Sequence, residues 1–127
     1  MRYAVLCALY VGAGEYVAMQ EALPNSVSSF EKKHPSVWEA FSRLGDACHE
    51  TGPLDEKNRR LVKLALAVAL RHEGAVHSAT RNALKSGVTR EELGHVVILA
   101  ITTIGWPAAH AAMTWIEDDL SNRGERQ

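Results

Sequence analysis

The chain has 127 residues, a size typical of one domain, and its 46% apolar content and formal net charge of -1 are ordinary for a globular protein. Its lysines and arginines alternate with acidic residues and form no basic block, which argues against a nucleic-acid partner. Because so small a chain buries only about two thirds of its unfolded surface, this apolar content favours burial between subunits, and we expect a homo-oligomer.

The amino-terminal segment MRYAVLCALYVGAGEYVAM resembles a signal peptide until GAGE introduces a charge. Neither it nor a later apolar run reaches the roughly 20 uninterrupted apolar residues of a membrane span. We expect a cytoplasmic protein with no membrane partner. Residues 1–22 are predicted to be an N-terminal helical extension, and Met19 is an alternative natural start because the organised domain begins near residue 23.

The two cysteines, Cys7 and Cys48, are far apart in the sequence and match neither a C-x-x-C motif nor zinc-ligand spacing. A disulfide between them is the less favoured alternative. The sequence therefore predicts two buried free thiols in a reducing compartment.

The first predicted helices lie in the middle of the chain. PSVWEAFSRLGDACHETG has apolar residues at spacings of three and four, with Pro35 suited to a first helical turn and Gly52 to a stop. LDEKNRRLVKLALAVALRHEG opens with Asp55 as a candidate cap and is apolar around most of its circumference over residues 61–70. We expect this second helix at the centre of the fold.

A second pair of helices follows. AVHSATRNALKSG predicts a short helix ended by Gly87, and TREELGHVVILAITTIG begins with a capping box of Thr89 and Glu92. The β-branched run at 96–103 is compatible with a strand, but the capping box and the length favour a buried helix. WPAAHAAMTWIEDDLSNRGERQ predicts a last helix with a charged tail at 123–127. The predicted fold class is all-α.

This series of segments resembles the carboxymuconolactone decarboxylase and alkylhydroperoxidase (AhpD)-like family over roughly residues 34–119. The most specific parts are LDEKNRRLVKLALAVAL, TRNALKSGVTREEL and TTIGWPAAHAA. The resemblance implies an AhpD-like orthogonal helical bundle of about six helices, with the family domain at 23–122. It also implies that the central antiparallel helices pack against other subunits in dimers, trimers or hexamers.

The redox members of that family carry a glutamate on the long helix, a C-x-x-C at its end, and a histidine four residues later. These places correspond to Arg60, His72, Ala75 and Ala79 in this chain, and none matches. Because the peroxidase reaction needs an attacking thiolate and a resolving thiol, thiol peroxidase activity is not expected. The histidine of the decarboxylase branch corresponds most closely to Ala79, so that chemistry does not carry over residue by residue either.

Residues around His77 offer acid/base chemistry of their own. Glu73 is four positions earlier and shares a helix face with His77 if Gly74 does not break the helix. A carboxylate that orients an imidazole makes it a better base near neutral pH, and Arg81 one turn further could hold an anionic group. The alternative is an exposed ladder of charges. His72 either replaces the first cysteine functionally or is a cation favoured at a helix end.

A metal site is not predicted. HEGAVH resembles the zinc-protease motif H-E-x-x-H but has one residue too many, which separates His72 and His77 by about 140° around a helix. A ligand pair of His77 and His110 across the bundle is the remaining alternative. No cofactor is expected either. We interpret three other histidines as surface or structural residues: His34, His49 and His95.

Two classes of function follow. In the first, a small pocket lies between the long helix, the next helix and the Trp106–His110 turn, and the protein is a carboxymuconolactone decarboxylase-like lyase acting on a small lactone, carbonyl or carboxylic acid. Its candidate catalytic residues are His77, Glu73 and His72, and its candidate substrate-binding residues are Arg81, Trp106 and His110. In the second, the chain is a catalytically degenerate homo-oligomer that binds a small-molecule ligand or serves a structural role.

Overall fold

The computed structural model describes residues 25–124. The predicted N-terminal extension, with Cys7 and Met19, and the last three residues of the charged tail lie outside the described residues. The described part of the chain contains helices and no strand, which confirms the all-α prediction. Its six helices are α1 (Asn25–Lys33), α2 (Pro35–Glu50), α3 (Glu56–Ala69), α4 (Glu73–Lys85), α5 (Arg90–Ile104) and α6 (Trp106–Gly124).

The chain divides into two compact units, residues 1–53 and 54–127. In the first unit, α1 packs against α2, and Pro35 lies in the first turn of α2 as predicted. This helix ends at Glu50, two residues before the predicted glycine stop, and the Thr51 hydroxyl donates to the Ala47 carbonyl at 2.6 Å. Cys48, on the same helix, carries a free thiol as predicted, but the prediction that it is buried is wrong, because its side chain is exposed.

In the second unit, helix α3 begins directly after Asp55, as the sequence predicts. The Asp55 side chain accepts a hydrogen bond from the Asn58 amide at 2.8 Å and so caps the first turn. The helix ends at Ala69, and Arg71 adopts a left-handed backbone conformation with φ of 55°. Glycine usually occupies this position after a helix because a β-carbon is strained there.

The second helix pair also follows its local signals. Gly87 ends the turn after α4 with φ of 83°, and Thr89 and Glu92 form the complete predicted capping box of α5. The β-branched run is helical, as the box and the length indicated. Gly105, with φ of 87°, then allows the chain to turn into α6. Because α6 continues to Gly124, the first two residues of the predicted charged tail are helical.

Contacts at both ends show that α3 and α5 run parallel to each other. Near their starts, Lys57 Nζ lies 2.8 Å from Glu92 Oε1. At their ends, the Arg71 guanidinium donates to the Ile104 carbonyl at 3.5 Å. The two helices therefore begin together and finish together, and residues about 34 positions apart lie at the same level.

The core of the second unit is built from one apolar row on each of its four helices. Its buried side chains are Leu64, Ala67, Val68, Val76, Ala83, Val88, Leu93, Val97, Ala109, Ala112 and Ile116. Full burial of a valine, leucine or isoleucine side chain contributes about 1.5–3 kcal/mol, so these rows are the main support of the helix packing. Within residues 25–124, no helix combines the length and the apolar character needed to cross a membrane.

One face of α3 is left uncovered by the described residues 25–124. Val62, Leu66 and Leu70 are 47%, 57% and 74% exposed, and their spacing of four residues places them in one row, here called the apolar stripe. Ile98 and Leu99 on the parallel helix α5 are also more than half exposed and lie at the level of the stripe. Within the described part of the chain, helix α3 is therefore covered on only part of its apolar circumference.

Candidate functional site

The candidate site is centred on His77, which lies beside the buried row of α4. Val76 and Thr80 of that row are fully buried, so the neighbouring imidazole sits at the rim of the core with its side chain 22% exposed. Its Nδ1 atom lies 2.8 Å from Oδ2 of Asp119 on α6. A short contact of this kind orients the ring and leaves its other edge open.

Asp119 is the residue that our interpretation of the sequence missed. It stands 42 positions from His77, within the predicted last helix, and none of the acidic residues of that helix was among our candidate site residues. Its side chain is only 12% exposed, and its second oxygen, Oδ1, lies 3.5 Å from Arg81 Nη1. A signal was present, because Ala112, Ile116 and Asp119 continue one row at helical spacing, and an acidic residue on a core-facing row requires a partner.

Glu73 stands on the other side of the imidazole. Gly74 does not break α4, so Glu73 and His77 share a face as the spacing predicts. The distance from Glu73 Oε1 to His77 Nε2 is 3.6 Å, longer than a hydrogen bond, and the Glu73 side chain is 62% exposed. The imidazole thus has a short contact to a mostly buried carboxylate at one nitrogen and a loose contact to a solvated carboxylate at the other.

His72 has a local structural role at the start of α4. Its Nδ1 atom accepts a hydrogen bond from the Ala75 amide at 3.1 Å, which makes it the N-cap of the helix. This bond uses the lone pair of one ring nitrogen. His72 therefore stands at the N-terminus of a helix. The helix dipole disfavours a cation there, whereas a neutral hydrogen-bond acceptor fits.

The structure does not bring Trp106 and His110 to this cluster. Their rings contact each other, with centroids 5.2 Å apart, and both residues are exposed near the start of α6. His110 precedes Asp119 by nine residues, which corresponds to about 14 Å along the helix and about 180° around it. The six candidate residues therefore do not line one pocket, and His77 and His110 are not placed as a ligand pair.

Among residues 25–124, no group of three or more histidine, cysteine, aspartate or glutamate side chains is arranged to hold a metal ion.

The place that corresponds to the redox glutamate is occupied by an ion-pair network. Arg60 Nε donates to Glu56 Oε1 at 2.7 Å, Arg59 donates to Glu56 Oε2 at 2.7 Å, and the Ser86 hydroxyl donates to Glu56 Oε1 at 3.2 Å. Burial raises the pKa of Glu56, but the hydrogen bonds from Arg59 and Arg60 outweigh it and lower the pKa to about 2. This carboxylate ties the start of α3 to the end of α4 and is not free to move protons near neutral pH.

Comparison with known families agrees with the helical architecture and with the resemblance of the sequence segments. The sequence model of the carboxymuconolactone decarboxylase family matches residues 35–118 of this chain. The chain belongs to the carboxymuconolactone decarboxylase family. That membership places α2 to α5 and most of α6 within the family domain.

Two relatives are uncharacterized proteins of the archaeon Methanocaldococcus jannaschii. One is 33% identical over 90 residues, which cover 70% of this chain and 84% of the relative. The other is 27% identical over 88 residues, which cover 68% of this chain and 85% of the relative. Both matches extend over most of the relative, so the similarity is that of a whole domain.

Two solved structures share the fold. A carboxymuconolactone decarboxylase family protein from Legionella pneumophila, crystallised in its apo form, aligns with a TM-score of 0.66 at 27% identity and covers 84% of this chain and 98% of its own. A candidate carboxymuconolactone decarboxylase from Burkholderia xenovorans aligns with a TM-score of 0.64 at 19% identity and covers 98% of both chains. The second likeness supports the fold alone.

Proposed function

We propose that this family member performs acid/base chemistry on a small lactone, carbonyl or carboxylic acid, with His77 as the group that transfers the proton. The observation that carries the proposal is the 2.8 Å contact between a mostly buried imidazole and the carboxylate of Asp119. Imidazole changes charge in the physiological pH range, and an orienting carboxylate is a common support for an imidazole that accepts and returns protons.

The reaction class fits the groups around His77. Loss of carbon dioxide from an acid with a β-carbonyl group leaves an enolate, which must then take up a proton at carbon. Opening a lactone needs a base to activate water and an acid to protonate the leaving oxygen. Both reactions require a proton donor or acceptor, and neither requires a thiol. The described residues of the second unit, 54–124, contain no cysteine.

The test is turnover of two simple probes, acetoacetate and γ-butyrolactone, followed by proton NMR with the purified full-length protein. We expect His77→Gln to lower the rate by at least about 100-fold, the usual contribution of a positioned acid or base. His95→Gln is the matched control, because His95 is an exposed histidine on α5, and it should retain the rate. Full activity in His77→Gln would contradict the proposal.

The same experiment also tests the alternative that the protein is a catalytically degenerate homo-oligomer. If the wild-type protein converts neither probe, and intact mass spectrometry finds no co-purified small molecule, the enzymatic proposal fails. A homo-oligomer with a structural role then remains.

We also propose that the apolar stripe is covered by a second copy of this chain. Three aliphatic side chains are about half to three-quarters exposed in one row, and covering them would contribute several kcal/mol per subunit at about 25 cal/mol per Å². Ile98 and Leu99 widen this surface at the same level. Exposed apolar areas of this kind usually mark interaction surfaces.

The assembly can be tested by light scattering and sedimentation at micromolar concentration. The wild-type chain should be an oligomer, and Leu66→Glu should dissociate it because an unpaired carboxylate would be buried at the contact. Asn122→Glu adds the same charge at an exposed position near the end of α6 and should leave the oligomer intact. A monodisperse wild-type monomer would overturn the proposed assembly.

A further inference from the structure

We propose that Asp119 and Arg81 are positioning residues that fix the neutral His77 ring as the tautomer with the proton on Nδ1. Nε2 is then the nitrogen that exchanges protons with the substrate. The inference rests on the proposed function and deepens it, because it states which edge of the imidazole reacts and which residues determine this. Arg81, expected from the sequence to bind substrate, takes a different role here.

The first step follows from the chemistry of a carboxylate. An ionised carboxylate accepts hydrogen bonds and cannot donate them. At 2.8 Å, Asp119 Oδ2 is within hydrogen-bonding distance of His77 Nδ1, so the ring nitrogen must be the donor. The Asp119 side chain is 12% exposed, which limits the access of water that could satisfy its oxygen in place of the imidazole. In the neutral ring, the lone pair is therefore left on Nε2.

The second step concerns the other oxygen of the same carboxylate. Arg81 follows His77 by one helical turn, and its Nη1 atom lies 3.5 Å from Asp119 Oδ1. A mostly buried carboxylate is costly without a positive partner, and Arg81 supplies that charge at the oxygen that does not contact the imidazole. Each oxygen of Asp119 consequently faces a different partner, and the carboxylate is held with Oδ2 towards His77.

The third step identifies the open edge of the ring. Nε2 faces Glu73, whose carboxylate is 3.6 Å away and 62% exposed. A solvated side chain of this kind can move aside or share a proton with a bound molecule. The reacting edge of His77 therefore lies on the Glu73 side, towards the start of α4, and Arg81 lies on the far side of the imidazole from it.

The tautomer can be read directly from the ¹⁵N chemical shifts of the ring nitrogens. Spectra are recorded on the full-length protein at a pH high enough to make the imidazole neutral, and the His77 signals are assigned by their loss in His77→Gln. We expect the protonated nitrogen to be Nδ1 in the wild-type protein. A wild-type ring protonated at Nε2 would overturn the inference without any further variant.

Two variants test the roles of the partners. In Asp119→Asn, Arg81 should attract the amide oxygen, so that the amide NH₂ faces Nδ1 and the tautomer inverts to Nε2–H. In the double variant Asp119→Asn with Arg81→Met, the amide is free to turn its oxygen to Nδ1–H, and the original tautomer should return. A purely structural contact predicts loss of thermal stability in both variants with no such inversion and return.

The outcomes separate this inference from the proposed function because no substrate is needed. An unchanged tautomer in Asp119→Asn would overturn the role of Asp119, and inversion that persists in the double variant would overturn the role of Arg81. If the tautomers behave as expected while neither probe is converted, the positioning holds and the proposed function fails.

Discussion

The interactions of Glu56 predict how one substitution changes the stability of the protein and how this change depends on pH. Its carboxylate joins the start of α3 to Ser86 at the end of α4 and is held by two arginines. Replacing it in Glu56→Gln should destabilise the protein at pH 7, because the charge that Arg59 and Arg60 bind is removed. The loss should depend on pH, since only the ionised form of Glu56 makes these interactions fully.

The pKa sets the size and direction of this effect. A lowering of the Glu56 pKa from its ordinary value of 4.5 to about 2 corresponds to an upper limit of about 3 kcal/mol. Because the Glu56 side chain is 44% exposed, solvent screening reduces the expected contribution to about 1 kcal/mol. The folded pKa lies below the unfolded value, so the stabilisation is present above pH of about 4.5 and is lost as the pH falls towards 2.

The assay is urea denaturation of both proteins from pH 7 to pH 2. The wild-type protein should be more stable than Glu56→Gln by about 1 kcal/mol at pH 7, and the difference should shrink between pH of about 4.5 and 2. Glu91→Gln, in the exposed first turn of α5, is the control and should differ by only a few tenths of a kcal/mol. If the difference in stability between the wild-type protein and Glu56→Gln stays constant over the whole pH range, this explanation of the role of Glu56 is wrong.

Three further predictions follow from particular residues. Reduced protein should not consume organic hydroperoxide catalytically, because its thiols lack the required pairing; turnover abolished by Cys48→Ala would contradict this. Arg71→Gly should stabilise the fold by about 0.5–1 kcal/mol in thermal denaturation because it relieves the left-handed backbone strain, whereas Arg71→Ala, which keeps a β-carbon, should give no gain. Thr80→Val should stabilise by about 1 kcal/mol, because the fully buried Thr80 hydroxyl has no hydrogen-bond partner within the described part of the chain. Thr114→Val, which removes an exposed 2.7 Å hydrogen bond to Ala111, should give no such gain, and equal effects at the two threonines would argue against the burial argument.

The helices and their ends were predictable because their signals are local. Asp55 caps an amide three residues away, and Thr89 and Glu92 satisfy each other across the same short distance. Such patterns can be read directly from a few consecutive residues. The shared face of Glu73 and His77 also follows from their spacing alone.

The short contact between His77 and Asp119 depends on how the helices pack. The spacing of residues along the sequence does not predict such packing. Asp119 approaches it only because α6 turns its buried row towards α4, across 42 positions of sequence. The same orientation explains why Trp106 and His110 lie elsewhere. Both were assigned to the site from their segment of the chain, but His110 and Trp106 precede Asp119 by nine and thirteen positions, which a helix places about 180° and about 140° away around its axis.

The sequence also could not predict which apolar side chains of α3 are buried by the helices of the same chain. An apolar circumference indicates burial on every side, but it does not say whether the neighbours come from the same chain. The structure shows that the chain's own helices cover the side of Leu64 and Val68 and leave Leu66 and Leu70 exposed. The difference between core and stripe arises from helix packing and not from residue type.

Ligand-induced NMR shifts in the native protein can show whether the functional site lies at His77. Acetoacetate is titrated into the protein while the ring C–H signals of the histidines and tryptophans are followed. We expect saturable shifts of the His77 ring, with little change at His110 and Trp106 on the other side of α6. Saturable shifts confined to His110 and Trp106, or a His77 ring that does not respond at all, would contradict it.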